Sequence, residues 1–328
     1  MKRKRSFVVS GILLQDCVCY SNVFSVQELK LLAQISKTFN KVWKIQIYKT
    51  AQWTWTDTFE PNYQVRNILY ECCDLRPFSQ ELTQLEFGDD FNSPIGINVL
   101  PRKLTRLKFG YYFNHPIQVN MLPPKLTQLR FGYSFNQFIE MGALPRGLTQ
   151  LRFGVHFNQY VGVYVLPKGL TRLIFGYYFN QPIFLNVLPQ KLAQLSFGVY
   201  FNQPIKPGVL PQGLIQLRFG AHFNQSVKVG VLPQELTQLR FEGTFNQLLE
   251  VGELPRKLTQ LSFRWDFNQP IKVGVLPQGL TQLSFGGSFN QPIGLDVLPR
   301  GLIQLTLGMN YNQPNVIPSA CKVIRVYN

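Results

Sequence analysis

Side chains able to do covalent or metal chemistry are few and scattered. The three histidines, His115, His156 and His222, cluster with neither cysteines nor carboxylates, so their spacing points to no metal site. The five cysteines, Cys17, Cys19, Cys72, Cys73 and Cys321, are odd in number and fit no zinc template. Their natural reading is reduced thiols in an intracellular compartment. No Gly-rich loop leads from a strand into a helix to cradle phosphate, and no nucleophile–base pair stands out. The expectation is a non-enzymatic chain without metal or cofactor. What the sequence does supply is positive charge, a formal net +16 over 328 residues. The chemistry open to such a chain is recognition, of an acidic protein or of nucleic acid.

The positions of that charge follow from a repeat. Asn92, Asn114, Asn136, Asn158, Asn180, Asn202, Asn224, Asn246, Asn268, Asn290 and Asn312 stand 22 residues apart without insertion or deletion. A fixed period of this length builds a solenoid, in which each unit buries its apolar face only against its neighbours. One unit reads Leu-Thr-Gln-Leu-Arg-Phe-Gly-x-x-Phe-Asn-Gln-Pro-Ile-x-x-x-x-Leu-Pro-x-x. Leu129, Arg130 and Phe131 alternate apolar and polar, as a half-buried strand does. Gly and Pro leave no room for a long helix. Equivalent strands should stack in parallel about 4.8 Å apart, giving an array on the order of 50 Å long.

Six columns should point inward: both Leu of the strand segment, the strand Phe, the Phe before Asn, the Ile after Gln-Pro, and the Leu before Pro. The Asn ladder should be a structural seam at an inward turn, its amides bonded to the turn backbone of its own and adjacent coils. Gly88, Gly110, Gly132 and their equivalents end the strand and suggest a turn with φ > 0. Glu242 and Arg264 occupy the same column, so the site tolerates a side chain, and these two coils are the places to look for a bulge. Each Leu-Pro pair terminates the return segment, because Pro cannot donate to a ladder. Pro318 comes three residues early, and the Cys321-Lys-Val-Ile-Arg-Val run then predicts a closing strand near 321–327.

Outward on the strands lie Lys108, Arg130, Arg152, Ile174, Ser196, Arg218, Arg240, Ser262, Ser284 and Thr306, with Arg106 and Arg172 in the neighbouring column. Arg106, Lys108, Arg130, Arg152, Arg172, Arg218 and Arg240 are the candidate target-binding face. The alternative is a solvated face that resists aggregation. Before Phe-Asn, Tyr111, Tyr112, Tyr133, His156, Tyr177, Tyr178, Tyr200, His222 and Trp265 form either an exposed ridge or inter-coil packing. Nucleic-acid binding would want aromatics interleaved outward, whereas the Phe columns face in.

The Phe-Asn-Gln-Pro-Ile motif, with Leu-x-x-Leu-x-Phe-Gly before it, resembles the FNIP repeat. That family is named for its Phe-Asn-Ile-Pro variant and is abundant in slime moulds and giant DNA viruses. Here Gln stands in place of Ile, and Phe138, Tyr160, Ser226 and Leu248 replace the Pro. FNIP repeats are similar to leucine-rich repeats, although the Asn here lies two residues later than in that consensus. The resemblance implies a mainly β protein: a leucine-rich-repeat-like parallel β solenoid of about eleven 22-residue coils with a small helical N-terminal domain. The domains read as 1–43, a helical F-box-like segment or cap; 44–80, irregular coils burying the first regular repeat; and 81–328, the solenoid.

Viral proteins of this type often carry an N-terminal F-box, and residues 13–43 resemble one. Leu14, Val18, Val23, Phe24, Leu29, Leu32 and Phe39 would then contact a Skp-type adaptor, although the usual Leu-Pro at the head is Leu14-Gln15. The other reading is a helical cap on the open end of the solenoid. The function implied is substrate recognition in a cullin-RING ubiquitin ligase, in the cytoplasm of a host cell if the protein is viral. The alternatives are a stand-alone scaffold for an acidic protein, or nucleic-acid binding through the strand face. The Lys2-Arg3-Lys4-Arg5 cluster would suit a nuclear signal or a solubilising tail. No apolar run reaches the roughly 18 residues of a membrane span, and Phe7–Leu14 lacks a small-residue cleavage site, so no membrane partner and no signal peptide are expected.

Overall fold

The computed structural model describes residues 46–48, 67–70, 78 and 81–327. The helical N-terminal domain, the F-box-like residues Leu14, Val18, Val23, Phe24, Leu29, Leu32 and Phe39, and all cysteines but Cys321 lie outside the described residues. Of the coils expected over 44–80, the backbone of β1 (Gln46–Tyr48) and β2 (Asn67–Tyr70) is described; the two pair antiparallel, and β2 pairs parallel with the first regular coil.

From there each unit contributes one short parallel strand. The strands are β3 (Gln84–Phe87), β4 (Arg106–Lys108), β5 (Gln128–Arg130), β6 (Gln150–Arg152), β7 (Arg172–Ile174) and β8 (Gln194–Ser196). They continue through β9 (Gln216–Phe219), β10 (Gln238–Phe241), β11 (Gln260–Phe263), β12 (Gln282–Ser284), β13 (Gln304–Gly308) and β14 (Lys322–Val326). All fourteen form one sheet in sequence order. Register follows the repeat, so Leu107 faces Leu129 and Leu129 faces Leu151. The chain is thus a mainly β solenoid with eleven regular coils, β3 to β13. β14 lies parallel on β13 and follows a turn closed by the Cys321 N–H on the Pro318 carbonyl.

The core is made of columns, because no single coil can bury its own apolar face. All six expected columns are buried. Two of them are phenylalanine. Within a coil the rings of Phe131 and Phe135 stack at 3.8 Å, and each continues into the next coil, Phe131 on Phe153 and Phe135 on Phe157. Such pairs add about 0.5–1.5 kcal/mol each beyond their buried area. Ring spacing also reports curvature. Strand-Phe rings sit 5.5–5.8 Å apart in the coils from Phe87 to Phe197, and rings of the Phe before Asn 5.8–6.2 Å apart. Hydrogen-bonded strands are about 4.8 Å apart. The coils therefore fan open away from the sheet, and the strand face is the concave one.

Behind the core the return segment turns sharply. In ten of the eleven regular coils, from Gly96–Val99 to Gly294–Val297, a backbone N–H three residues on closes a turn. The third residue of each has φ between 58° and 89°: Asn, Gly, Tyr164 or Asp296. This is a type II turn, whose third position disfavours side chains other than Gly or Asn. Its fourth residue, Val187 or Val231 for instance, is a seventh buried column.

The strand-end glycines differ from expectation. None of them has positive φ; the positive-φ glycines are Gly142, Gly208, Gly230, Gly252 and Gly274, all in the type II turns. A Cβ on Gly132 would land on the carbonyl oxygen of Gly110, and the same clash repeats along the column. Gly is required there because one coil's backbone touches the next. Where Glu242 breaks the column, Gly243 takes over the contact, against the Ala221 backbone, and Trp265 in the following coil adopts φ 47°.

Candidate functional site

The concave face is built by the alternation of the strands. In β5 to β7 the central Leu is buried, and the residues flanking it stand in the groove. Parallel register then aligns Lys108, Arg130 and Arg152 across adjacent strands, and sets Arg106 and Arg172 in the parallel column of Gln128 and Gln150. The result is a shallow groove of about 480 Å³ that brings together Arg106, Lys108, Arg130, Arg152 and Arg172. It continues past Ile174 into a second stretch of about 830 Å³ containing Arg218, Arg240 and Arg264. All seven basic residues picked from the sequence thus share one surface, and Arg264, read there only as a break in the glycine column, joins them.

Neutralisation is uneven along this surface. Lys108 pairs with Glu86 on the neighbouring strand. Among the described residues no carboxylate is within ion-pair distance of Arg106, Arg130, Arg152 or Arg172. Burial, and then the neighbouring guanidinium groups of Arg130 and Arg172, hold Arg152 below its ordinary pKa. The second of these causes is the mutual repulsion of cations held together. Further along, Glu242 binds Arg218 at 2.9 Å and Arg264 at 3.4 Å, with its own side chain only 11% exposed. Arg240 lies between them on β10. Beyond it the outward column is Ser262, Ser284 and Thr306.

At the end of the strands, rings stack from coil to coil: Tyr111 on Tyr133, then His156, Tyr178, Tyr200 and His222, with centroids 4.4–5.2 Å apart. Both readings of these residues therefore apply, since they are largely exposed and also hold coils together. Where the rings stack face to face, as Tyr111 with Tyr133 and Tyr178 with Tyr200, those faces are covered and edges are left outward. A nucleobase needs a free face.

The Asn ladder lies beside the core. Asn114 to Asn290 are half-buried, and Asn92 and Asn312 at the ends are exposed, so the inward placement expected from the sequence is corrected. Each Oδ1 accepts the backbone N–H of the next Asn, as from Asn158 to Asn136 and from Asn180 to Asn158, both at 2.9 Å. In most coils it also accepts Nε2 of the Gln that follows, Gln159 and Gln181 for example. The carbonyl oxygen supplies an acceptor that the turn backbone lacks. Threonines before the strand run a parallel seam, Thr127 donating to the Thr105 carbonyl at 3.0 Å.

No group of three or more His, Cys, Asp or Glu that could hold a metal occurs among the described residues, and no helix there is long and apolar enough to cross a membrane. The arrangement offers electrostatic recognition over a long groove.

The FNIP Repeat family matches residues 77–112, 113–156, 157–200, 201–243, 245–288 and 289–326. Among solved structures, CroV588, described as a novel circular LRR protein, is 39% identical over 78% of this chain, with a TM-score of 0.65. The match takes in 45% of that protein, so this chain spans under half of its length. An internalin (InlF) from Listeria monocytogenes is 16% identical over 76% of this chain and 75% of its own, with a TM-score of 0.49. No curated protein matches.

Proposed function

This chain belongs to the FNIP-repeat family, and from that premise we propose that it is a non-enzymatic interaction scaffold whose concave groove grips an acidic protein segment. One observation carries the reading: Arg106, Arg130, Arg152 and Arg172 line a single groove without a carboxylate partner among the described residues. Bringing like charges together destabilises a fold, so an external anion that relieves the repulsion binds with that energy added. Solenoids offer extended concave surfaces of this kind for partners. The covered ring faces of the aromatic ladder favour a peptide over a single-stranded nucleic acid.

A labelled oligoglutamate peptide, titrated at low ionic strength against an oligonucleotide of equal charge, tests this. The peptide should bind, and binding should weaken steeply with salt. Changing Arg106, Arg130, Arg152 and Arg172 together to Ser should remove it. Retained binding in that variant, or none in the folded wild type, sinks the proposal. Tighter binding of the oligonucleotide transfers the groove to nucleic acid.

The finer proposal, a substrate-recognition subunit of a cullin-RING ligase, rests on the F-box-like residues 13–43 alone. On this reading Leu14, Val18, Val23, Phe24, Leu29, Leu32 and Phe39 dock a Skp-type adaptor while the groove holds the target. A pull-down with purified adaptor is the test. No adaptor retained at micromolar concentration by folded protein ends the ligase reading and leaves the groove untouched.

A further inference from the structure

The convex side carries a second periodic surface. The second residue of every type II turn is apolar and turned outward: Ile97, Val119, Met141, Val163, Leu185, then Pro207 and onward to Leu295. The turn explains how it gets there. The positive φ at the third position reverses the chain, so the fourth residue enters the core and the second is left outside. Type II turns favour Pro at this position, as at Pro207, and nothing in the turn calls for Val, Leu or Met.

Between two charges this ridge broadens into a patch. Met141 is 67% exposed, Tyr160 42%, Val163 38%, Tyr164 66%, Phe184 49% and Leu185 57%. Tyr160 and Phe184 touch, with ring centroids 6.1 Å apart. Side chains of this size carry roughly 150–250 Å² each, so the patch presents on the order of 700 Å², close to what each partner gives an interface of standard size. Its composition, aromatics with Met and Leu, is that of an interface centre. Exposed Glu140 borders it on one side and exposed Lys206 on the other, and among the described residues neither has an ion-pair partner.

We infer that this patch is the contact of a two-fold dimer with a second copy of the chain. Self-pairing is favoured by the order of the residues. A two-fold axis between the coils of Val163 and Leu185 sets Val163 against Leu185 of the other copy and Met141 against Pro207. The same axis brings Glu140 opposite Lys206, and does so twice, as an isologous interface requires. Convex curvature confines the contact to these central coils, where the bulk is greatest, and leaves both concave grooves open.

Sedimentation velocity of the full chain tests this. The wild type should run as a dimer at micromolar concentration, twice the 37.8 kDa of one chain. Val163→Glu with Leu185→Glu should raise the dimer dissociation constant by about a hundredfold, from the loss of central contacts and the four carboxylates, two from each copy, brought together at the centre. Both sites are exposed turn positions, so circular dichroism at room temperature should be unchanged and the variant should still unfold cooperatively. Glu140→Lys and Lys206→Glu should each weaken the dimer, and the double reversal should restore it. A wild type that stays monomeric at tens of micromolar overturns the inference. So does a dimer indifferent to the two Glu substitutions.

Discussion

The two halves of the concave groove share one backbone and one register, yet they hold charge in opposite ways. From β4 to β7 the arginines have no carboxylate partner among the described residues, and Arg152 feels its neighbours' charge. From β9 to β11 a single carboxylate, Glu242, ties Arg218 to Arg264. The difference originates in one column of the repeat. Where that column is Gly, the coils touch and there is no side chain to spare. Where it is Glu242, the contact moves to Gly243 and a carboxylate is delivered to the groove. In this half a change of stacking thus changes the electrostatics of the groove, and the other half keeps its arginines ready for an anion.

The largest effect that would test this contrast is on binding. Replacing Arg106, Arg130, Arg152 and Arg172 by Ser should weaken oligoglutamate by about a thousandfold, roughly 1 kcal/mol per cation. Replacing Arg218, Arg240 and Arg264 should cost less than about tenfold, and equal losses from the two halves would erase the distinction. Next comes stacking. Gly132→Ala should destabilise by about 3 kcal/mol in urea unfolding, since it drives a Cβ into backbone that cannot yield. Glu242→Gly in the other half should stay within about 1 kcal/mol, because Gly243 already makes the contact.

A smaller effect is expected at the seam. Asn158→Ala leaves the Asn180 N–H and the Gln181 amide without their acceptor and should cost about 1–2 kcal/mol. The same change at Asn290, which serves the exposed Asn312, should cost less. The smallest stability change belongs to Glu242→Gln, below about 1 kcal/mol, because the two arginines it binds are more than half exposed. That substitution should nonetheless raise anion affinity in the C-terminal half by up to about tenfold. No gain would mean that Glu242 does not set the charge of that half.

Much of this was legible from residue order. The six apolar columns, the parallel stack and the outward arginines all follow from a period of 22 and the alternation of a strand such as Leu129-Arg130-Phe131. The type II turn was not legible. In the run Val227-Lys228-Val229-Gly230-Val231, every second residue is apolar, and alternation alone would put Val227, Val229 and Val231 on one face. Positive φ at Gly230 breaks that rule, so Val231 is buried and Val229 is 64% exposed. The exposed convex ridge was missed for this reason. The strand-end glycines were misread in a related way. A sequence does not distinguish a residue that must have φ > 0 from one that has no room for a Cβ, and here the second holds.

The period, the parallel stack, six of the seven core columns and the sign of the groove's charge follow from residue order alone. These are set by residues interacting with their own equivalents one coil away, so a strict repeat carries the information locally. The folded chain alone settles the sense of curvature, the turn that carries apolar side chains outward, and which arginines find a carboxylate partner among the described residues. Those depend on how far apart neighbouring coils lie at each radius, and on Glu242 reaching two arginines, each in a different neighbouring coil. No single unit of the repeat contains either quantity.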